Sequence, residues 1–438
     1  MKEGKKQGGQ EKKMQMELLE RIVDSRNVRR AYGKVMANKG SGGVDGIEIE
    51  GFKSQLQSVW PAVKTAIQEG SYQPSAVRKV EIPKPGGGTR ILGIPTVLDR
   101  MIQQAIGQQL QIIYDGTFSS SSYGFRPGRN AHQALVRARQ YVNEGYSHVV
   151  DIDMAQFFDR VNHDYLMNLL SKRIGDKRVL RLIHRYLKSG AMIGGVATVN
   201  TEGTPQGGPL SPILSNILLD RLDKELERRG HRFVRYADDL CVFTRSGRAA
   251  ARILKSVSSY IEKELKLEVN RTKSEANRPW KSKLLAYSFY RKKGGEVGLK
   301  VARSSIAKYK AKVRTITSRS KPYAMYKRYE KLRQLNRGWV QYFKLSEARS
   351  VFRDLDEWVR RRIRSCYWKQ WKLPSTRIKM LAQLGTPEWQ AYQWANTRKG
   401  YWRTSGSFIL NSTLNSSLLK REGYLSLNEL STLHPVSF

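Results

Sequence analysis

The sequence predicts an α+β fold that gives way to an all-helical, strongly basic C-terminal part. Three observations predict it. Strand-like runs rich in β-branched and aromatic residues, "VRKVEIP", "HVVDIDM" and "FVRYADDLCVF", alternate with helical patterns over the first 300 residues. Beyond about residue 300 such runs stop. Between 281 and 380 about 29 Lys and Arg stand against about 6 acids, interleaved with Tyr and Trp.

At 438 residues the chain exceeds the roughly 250–300 that one hydrophobic core serves, so two to four domains are expected. Its formal charge of +41, from 79 Lys and Arg against 38 Asp and Glu, calls for a polyanionic partner, with nucleic acid the first candidate. No apolar run approaches the roughly 18 residues of a spanning helix, and "MKEGKKQGGQEKK" lacks a signal peptide's apolar core, which predicts no membrane partner and a cytosolic setting. Cys241 and Cys366 are the two cysteines, and the six His show no paired-ligand spacing. Neither a disulfide framework nor a Cys-rich zinc site can be built from them.

Residues 1–13 read as a polar tail, and Glu17 to about Gln68 as helix interrupted by the glycine loop "NKGSGGVDG". "VRKVEIPKPGGGTRILGIP" at 77–95 reads as strand, Gly-rich turn, strand. Helix follows from Val97 to Tyr114, then the loop "YGFRPGRN", a helix through Tyr141 and a strand at 148–154. After "TPQGGPLSP", Ile213, Leu214, Ile217, Leu218 and Leu222 make one apolar helix face, with Pro212 in its first turn.

The chemistry centres on paired acids. Asp238 and Asp239 fall at the tip between two short apolar strands, Phe233–Tyr236 and Leu240–Phe243. Asp is at home in a solvated turn. Two anions about 4 Å apart, however, repel by roughly 1–4 kcal/mol, which favours a cation between them. In "VVDID" alternation puts Asp151 and Asp153 on one face, and either can meet the hairpin acids across a sheet. Three carboxylates on adjacent strands suit a pair of Mg²⁺ ions, the equipment of phosphoryl transfer in polymerases. Lys84 and Arg90 flank the "PKPGGGTR" turn and could present two cations to a triphosphate. Gln206 in "TPQGG" offers an amide to a nucleotide, and Phe157 and Phe158 an aromatic wall or core packing.

The blocks "IPKPGGGTRILGIPT", "SYGFRPGRNAHQAL", "DIDMAQFFDRVNH", "GTPQGGPLSPILSNILLDRLD" and "RYADD" resemble, in order and spacing, the reverse transcriptases encoded by bacterial group II introns. "NKGSGGVDG" looks like that family's N-terminal extension and "LRQLNRGWVQYF" like its maturase domain. The resemblance implies a right-hand polymerase fold with α+β fingers and palm, then a helical thumb. It implies Asp153, Asp238 and Asp239 as ligands of two Mg²⁺ ions, Asp153 being preferred because it lies four residues before the Phe pair. It also implies Lys84 and Arg90 on the triphosphate, Phe158 beside its sugar and Gln206 near the nucleotide. The expected domains are an extension at 1–76, fingers and palm at 77–295, a thumb at 296–380 and an appended nucleic-acid-binding region at 381–438. Arg360, Arg361, Arg362 and Arg364 are the expected RNA grip, with Tyr309, Tyr326, Trp339 and Trp368 stacking on RNA or packing helices. The implied function is RNA-directed DNA synthesis together with binding of group II intron RNA to assist splicing and mobility. The implied partners are intron RNA, an RNA template with DNA primer, and deoxynucleoside triphosphates in a bacterial cytoplasm. The Cys/His endonuclease of many relatives has no match after residue 366, so the endonuclease-lacking class is expected. A domesticated or defence-associated reverse transcriptase and a splicing-only RNA-binding protein are the rivals.

Overall fold

The computed structural model describes residues 18–83, 89–189, 191–193, 196–198, 207–347 and 349–433. The chain divides into two compact units, Met1–Arg278 and Pro279–Phe438. The expected boundary at 295 therefore falls inside the second unit.

The first unit opens with helices α1 (Leu18–Val23), α2 (Ser25–Ala37) and α3 (Ile49–Glu69). Asp24 caps α2 by accepting from the N–H groups of Arg26 and Asn27, and Gly70 ends α3 at φ +78°, a conformation that costs glycine little. Strands β1 (Val77–Pro83) and β2 (Thr89–Ile94) form an antiparallel hairpin. Helix α4 (Val97–Tyr114) has the predicted bounds because Thr96 accepts from the Asp99 N–H and starts it there. It runs through the core on a polar seam: Gln108 and Gln109 both donate to the Asn27 side-chain oxygen, at 2.8 and 2.9 Å.

Next come α5 (Ala131–Asn143), β3 (His148–Ile152), α6 (His163–Ser171), α7 (Lys177–Lys188), β4 (Ala191–Ile193) and β5 (Val196–Thr198). Helix α8 (Ser211–Arg228), β6 (Arg232–Tyr236), β7 (Asp239–Thr244), α9 (Gly247–Glu264) and β8 (Glu275–Asn277) complete the unit. One sheet has the order β2-β1-β4-β5, the other β6-β7-β3-β8. The second sheet is antiparallel throughout, so β3 and β7 lie at its centre. Val150, Ile152, Leu240 and Val242 face the same core as the predicted α8 stripe, all five of whose residues are buried. Each such side chain contributes about 1.5–3 kcal/mol, which is what fixes the strands in register under the acids.

The second unit starts with an antiparallel sheet of β9 (Lys283–Leu284), β10 (Tyr287–Arg291) and β11 (Val297–Val301). Helices follow: α10 (Arg303–Ile316), α11 (Met325–Phe343), α12 (Ser350–Gln370), α13 (Pro374–Gln383), α14 (Glu388–Ala395) and four shorter ones to Leu433. Trp339 centres the core, with the rings of Tyr309 and Phe343 each 4.8 Å away and Phe352 at 5.5 Å. Of the four aromatics expected in the basic half, Tyr309, Trp339 and Trp368 are buried packing residues, whereas Tyr326 is exposed. The C-terminal segment is built into this unit. Asp356 of α12 accepts from the Tyr424 hydroxyl and from the N–H groups of Leu427 and Asn428, each at 2.8 Å. No described helix is long and apolar enough to cross a membrane.

Candidate active site

Tyr236 of β6 pairs with Asp239 of β7, leaving Ala237 and Asp238 as a two-residue turn. Ala237 has φ +57°, a left-handed conformation that favours glycine, so something must hold it. Arg235 does. Its guanidinium donates to the Ala237 carbonyl at 2.9 Å and to the Asn216 side-chain oxygen at 3.0 Å. It also grips both carboxylate oxygens of Asp223, at 2.7 and 2.5 Å. Asn216 and Asp223 lie seven residues apart on α8, two turns along one face, and Arg235, Asn216 and Asp223 are all fully buried. From the other side, Gly124 packs so closely on the Ala237 backbone that no Cβ fits, and its carbonyl accepts from Asn216 at 2.9 Å.

The β3–β7 ladder opposes Asp151 to Cys241 and ends at Ile152 opposite Leu240. One rung further would set Asp153 against Asp239. There the chain leaves β7: the Asp153 carbonyl accepts from Asn270 N–H at 2.9 Å, and Met154 bridges Val269. The Asp153 N–H donates to Ser274 Oγ at 3.0 Å, fixing the backbone while its carboxylate stays 41% exposed, 3.9 Å from Lys273 Nζ. Asp151 is differently occupied. It accepts from Cys241 Sγ at 2.8 Å, and burial, with this carboxylate beside it, pushes the thiol well above its ordinary range and keeps it a donor.

Asp153, Asp238 and Asp239 thus lie toward the same end of the central strands. As the side chains stand, no three His, Cys, Asp or Glu among the described residues close around a single point. The donor set is all carboxylate oxygen, the chemistry a hard divalent cation takes. Phe157 is a core residue, and Phe158 stands half-buried beside it with ring centroids 5.1 Å apart. Arg90 lies on β2 opposite Ile82, its side chain outside the described residues, as are Lys84 and Gln206. Gly207, next to Gln206, backs onto the Gly93 carbonyl and Leu92 of β2 at φ +120°, where a Cβ would come within 2.8 Å.

In the second unit three of the four expected arginines are engaged within the fold. Arg364 is buried and donates to the Leu414 carbonyl and to Asn411, and its pKa is lowered to about 10 by burial. Arg362 donates to Thr317 Oγ1 at 2.9 Å and to the Thr317 carbonyl at 2.9 Å. Arg361 lies 4.2 Å over the Trp402 ring and donates to the Trp402 carbonyl. These three are fastened into the fold because helix ends leave carbonyls that a planar guanidinium satisfies several at a time.

Sequence reasoning missed Arg235, Asn216 and Asp223. The signal was present as an arginine inside an apolar strand and two polar residues on the apolar face of α8.

Residues 82–289 match the family model for reverse transcriptase (RNA-dependent DNA polymerase). That match runs from the end of β1 into β10 and assigns the two sheets of the first unit to a right-hand polymerase fold. Residues 306–385 match the group II intron, maturase-specific domain. The chain therefore joins a reverse transcriptase domain to a maturase domain, the pairing of group II intron-encoded reverse transcriptase–maturases. Protein YkfC of Escherichia coli is 34% identical over 218 residues, 48% of this chain and 57% of that protein. The putative COX1/OXI3 intron 2 protein of Saccharomyces cerevisiae is 34% identical over 216 residues, 48% of this chain and 25% of its own length. The group II intron-encoded protein LtrA of Lactococcus lactis is 36% identical over 202 residues, 44% of this chain and 32% of that protein. The matches thus span from a quarter to little more than half of these relatives.

Proposed function

We propose that this protein is an RNA-directed DNA polymerase that also binds group II intron RNA and assists its splicing and mobility in a bacterial cytoplasm. The observation that carries the reading is the Asp238–Asp239 turn, held by Arg235 at the end of the strands where Asp153 leaves the sheet. Asp153, Asp238 and Asp239 would hold two Mg²⁺ ions, which supply charge neutralisation for nucleotidyl transfer when bound. Around them this chain's own groups bind and orient. Lys84 and Arg90 would take the triphosphate of an incoming deoxynucleotide, Phe158 would border its sugar, and Gln206 would lie near the nucleotide. The primer on its RNA template would enter against the acids, and the basic second unit would hold intron RNA.

Primer extension on an RNA template with Mg²⁺ tests the reading. Asp238→Asn and Asp153→Asn should each abolish extension and leave RNA affinity near wild type. Asp151→Asn should retain most activity, since Asp151 is engaged with Cys241. Wild-type extension by Asp238→Asn would refute the carboxylate assignment.

A further inference from the structure

Phe125 is a half-exposed aromatic, 49% accessible, with its backbone at φ +57°. A bulky side chain in the left-handed region is a rare conformation that persists only where the surroundings over-determine it. Here they do. The Tyr123 N–H donates to the Arg235 carbonyl at 2.9 Å, Gly124 is clamped between Asn216 and the Ala237 backbone, and Arg126 is buried. The Arg126 guanidinium reaches the Asp115 side chain and carbonyl, each at 2.8 Å, and the Ser119 carbonyl at 2.7 Å. Tyr123, Gly124 and Arg126 around Phe125 are thus tied down, the first two to the strand and turn that carry the acids. The Phe125 ring is turned outward. It stands 6.5 Å from the ring of Tyr236, the residue paired with Asp239.

We infer that Phe125, beside Tyr236, is a stacking surface for a nucleobase of the primer–template held at the acids. The inference rests on the polymerase reading above and adds a binding residue to it. The fold keeps the ring in a costly conformation at the edge of the carboxylate turn, where the nucleic acid ends must be placed. An aromatic face suits any base there, because stacking is indifferent to sequence.

The test uses the full-length protein and short RNA–DNA primer–templates carrying 2-aminopurine at the primer 3′ end or at the facing template position. Binding is read without nucleotide, so it is independent of catalysis. Phe125→Gly removes the ring and accepts φ +57° freely, so its melting temperature should equal or exceed wild type. Its affinity should fall by about tenfold, toward the low end for one lost base stack, and Phe125→Tyr should restore it. The slope of affinity against salt should not change, because no phosphate contact is lost. The probe whose fluorescence changes with wild type but not with Phe125→Gly identifies the strand. Wild-type affinity in Phe125→Gly, or equal loss in Phe125→Tyr, overturns the inference. Absence of extension by the wild-type protein would overturn the polymerase reading instead and leave this binding result standing by itself.

Discussion

Arg235 and Asp223 form a two-pronged ion pair, 2.7 and 2.5 Å between heavy atoms, with neither side chain exposed to solvent. Removing water from both charges is costly. The geometry offsets that cost because two further guanidinium donors are taken by Asn216 and the Ala237 carbonyl. The pair therefore couples α8 to the backbone of the carboxylate turn.

Breaking that pair should be worse than removing it. Asp223→Ala leaves a buried guanidinium unpaired and should cost about 3–5 kcal/mol, visible in urea unfolding. The apolar double variant Asp223→Leu/Arg235→Met should recover much of this stability. Extension should remain impaired in it, since the Ala237 carbonyl has lost its donor. Full polymerase activity in a stable double variant would show that the turn does not need Arg235.

Asp220, one turn before Asp223 on α8, gives a pH signature. Burial, then the neighbouring Asp223 charge, raise its pKa to about 6. A folded value above the unfolded one near 3.9 means the protonated carboxyl favours the fold. That stability is complete below about pH 4 and is lost as pH rises through 6. Allowing for its partial exposure, the loss should be about 1–2 kcal/mol. Asp220→Asn should match wild type near pH 4 and exceed it by that amount at pH 7.5. Equal unfolding midpoints at both pH values would place the titration elsewhere.

Much of this was legible in the sequence where one local signal decided the outcome. Thr96 fixed the start of α4, β-branched alternation fixed β3 and β7, and the turn between two apolar strands placed Asp238. The unit boundary was less legible, because strands 283–301 belong to the helical unit through long-range packing that no local pattern encodes. Charge counting showed the same limit. It gave the number of arginines in α12 but not that Arg362 and Arg364 turn their donors onto carbonyls of their own unit. Asp153 over Asp151 came from the family resemblance; the structure adds the Cys241 contact that occupies Asp151.

Phe158 and Phe157 should separate by role. Phe157 is 3% exposed, so Phe157→Ala should cost about 3–5 kcal/mol of stability. Phe158 is half-buried at the edge of the same cluster, and Phe158→Ala should chiefly relax sugar selection. The ratio of ribonucleotide to deoxyribonucleotide incorporation should rise in the second variant. An unchanged ratio moves the gate away from Phe158.

The RNA grip of the second unit should lie on the outer faces of its helices. On α10, Ser305, Tyr309 and Val313 are buried, and Lys308 and Lys312, one turn apart, stand exposed along one edge of that buried stripe. Each phosphate contact releases counterions, so neutralising both lysines should flatten the slope of log affinity against log salt by roughly 1.4–1.8. Arg364 should behave otherwise. Arg364→Gln strands the Leu414 carbonyl and should cost about 1–3 kcal/mol of stability. The salt slope should hardly move, because a buried guanidinium meets no phosphate. Filter binding across a salt series, with thermal melts of the same variants, separates the two. If Arg364→Gln flattened the slope while Lys308→Gln/Lys312→Gln did not, the RNA would have to enter the helical unit by a face that these side chains now close.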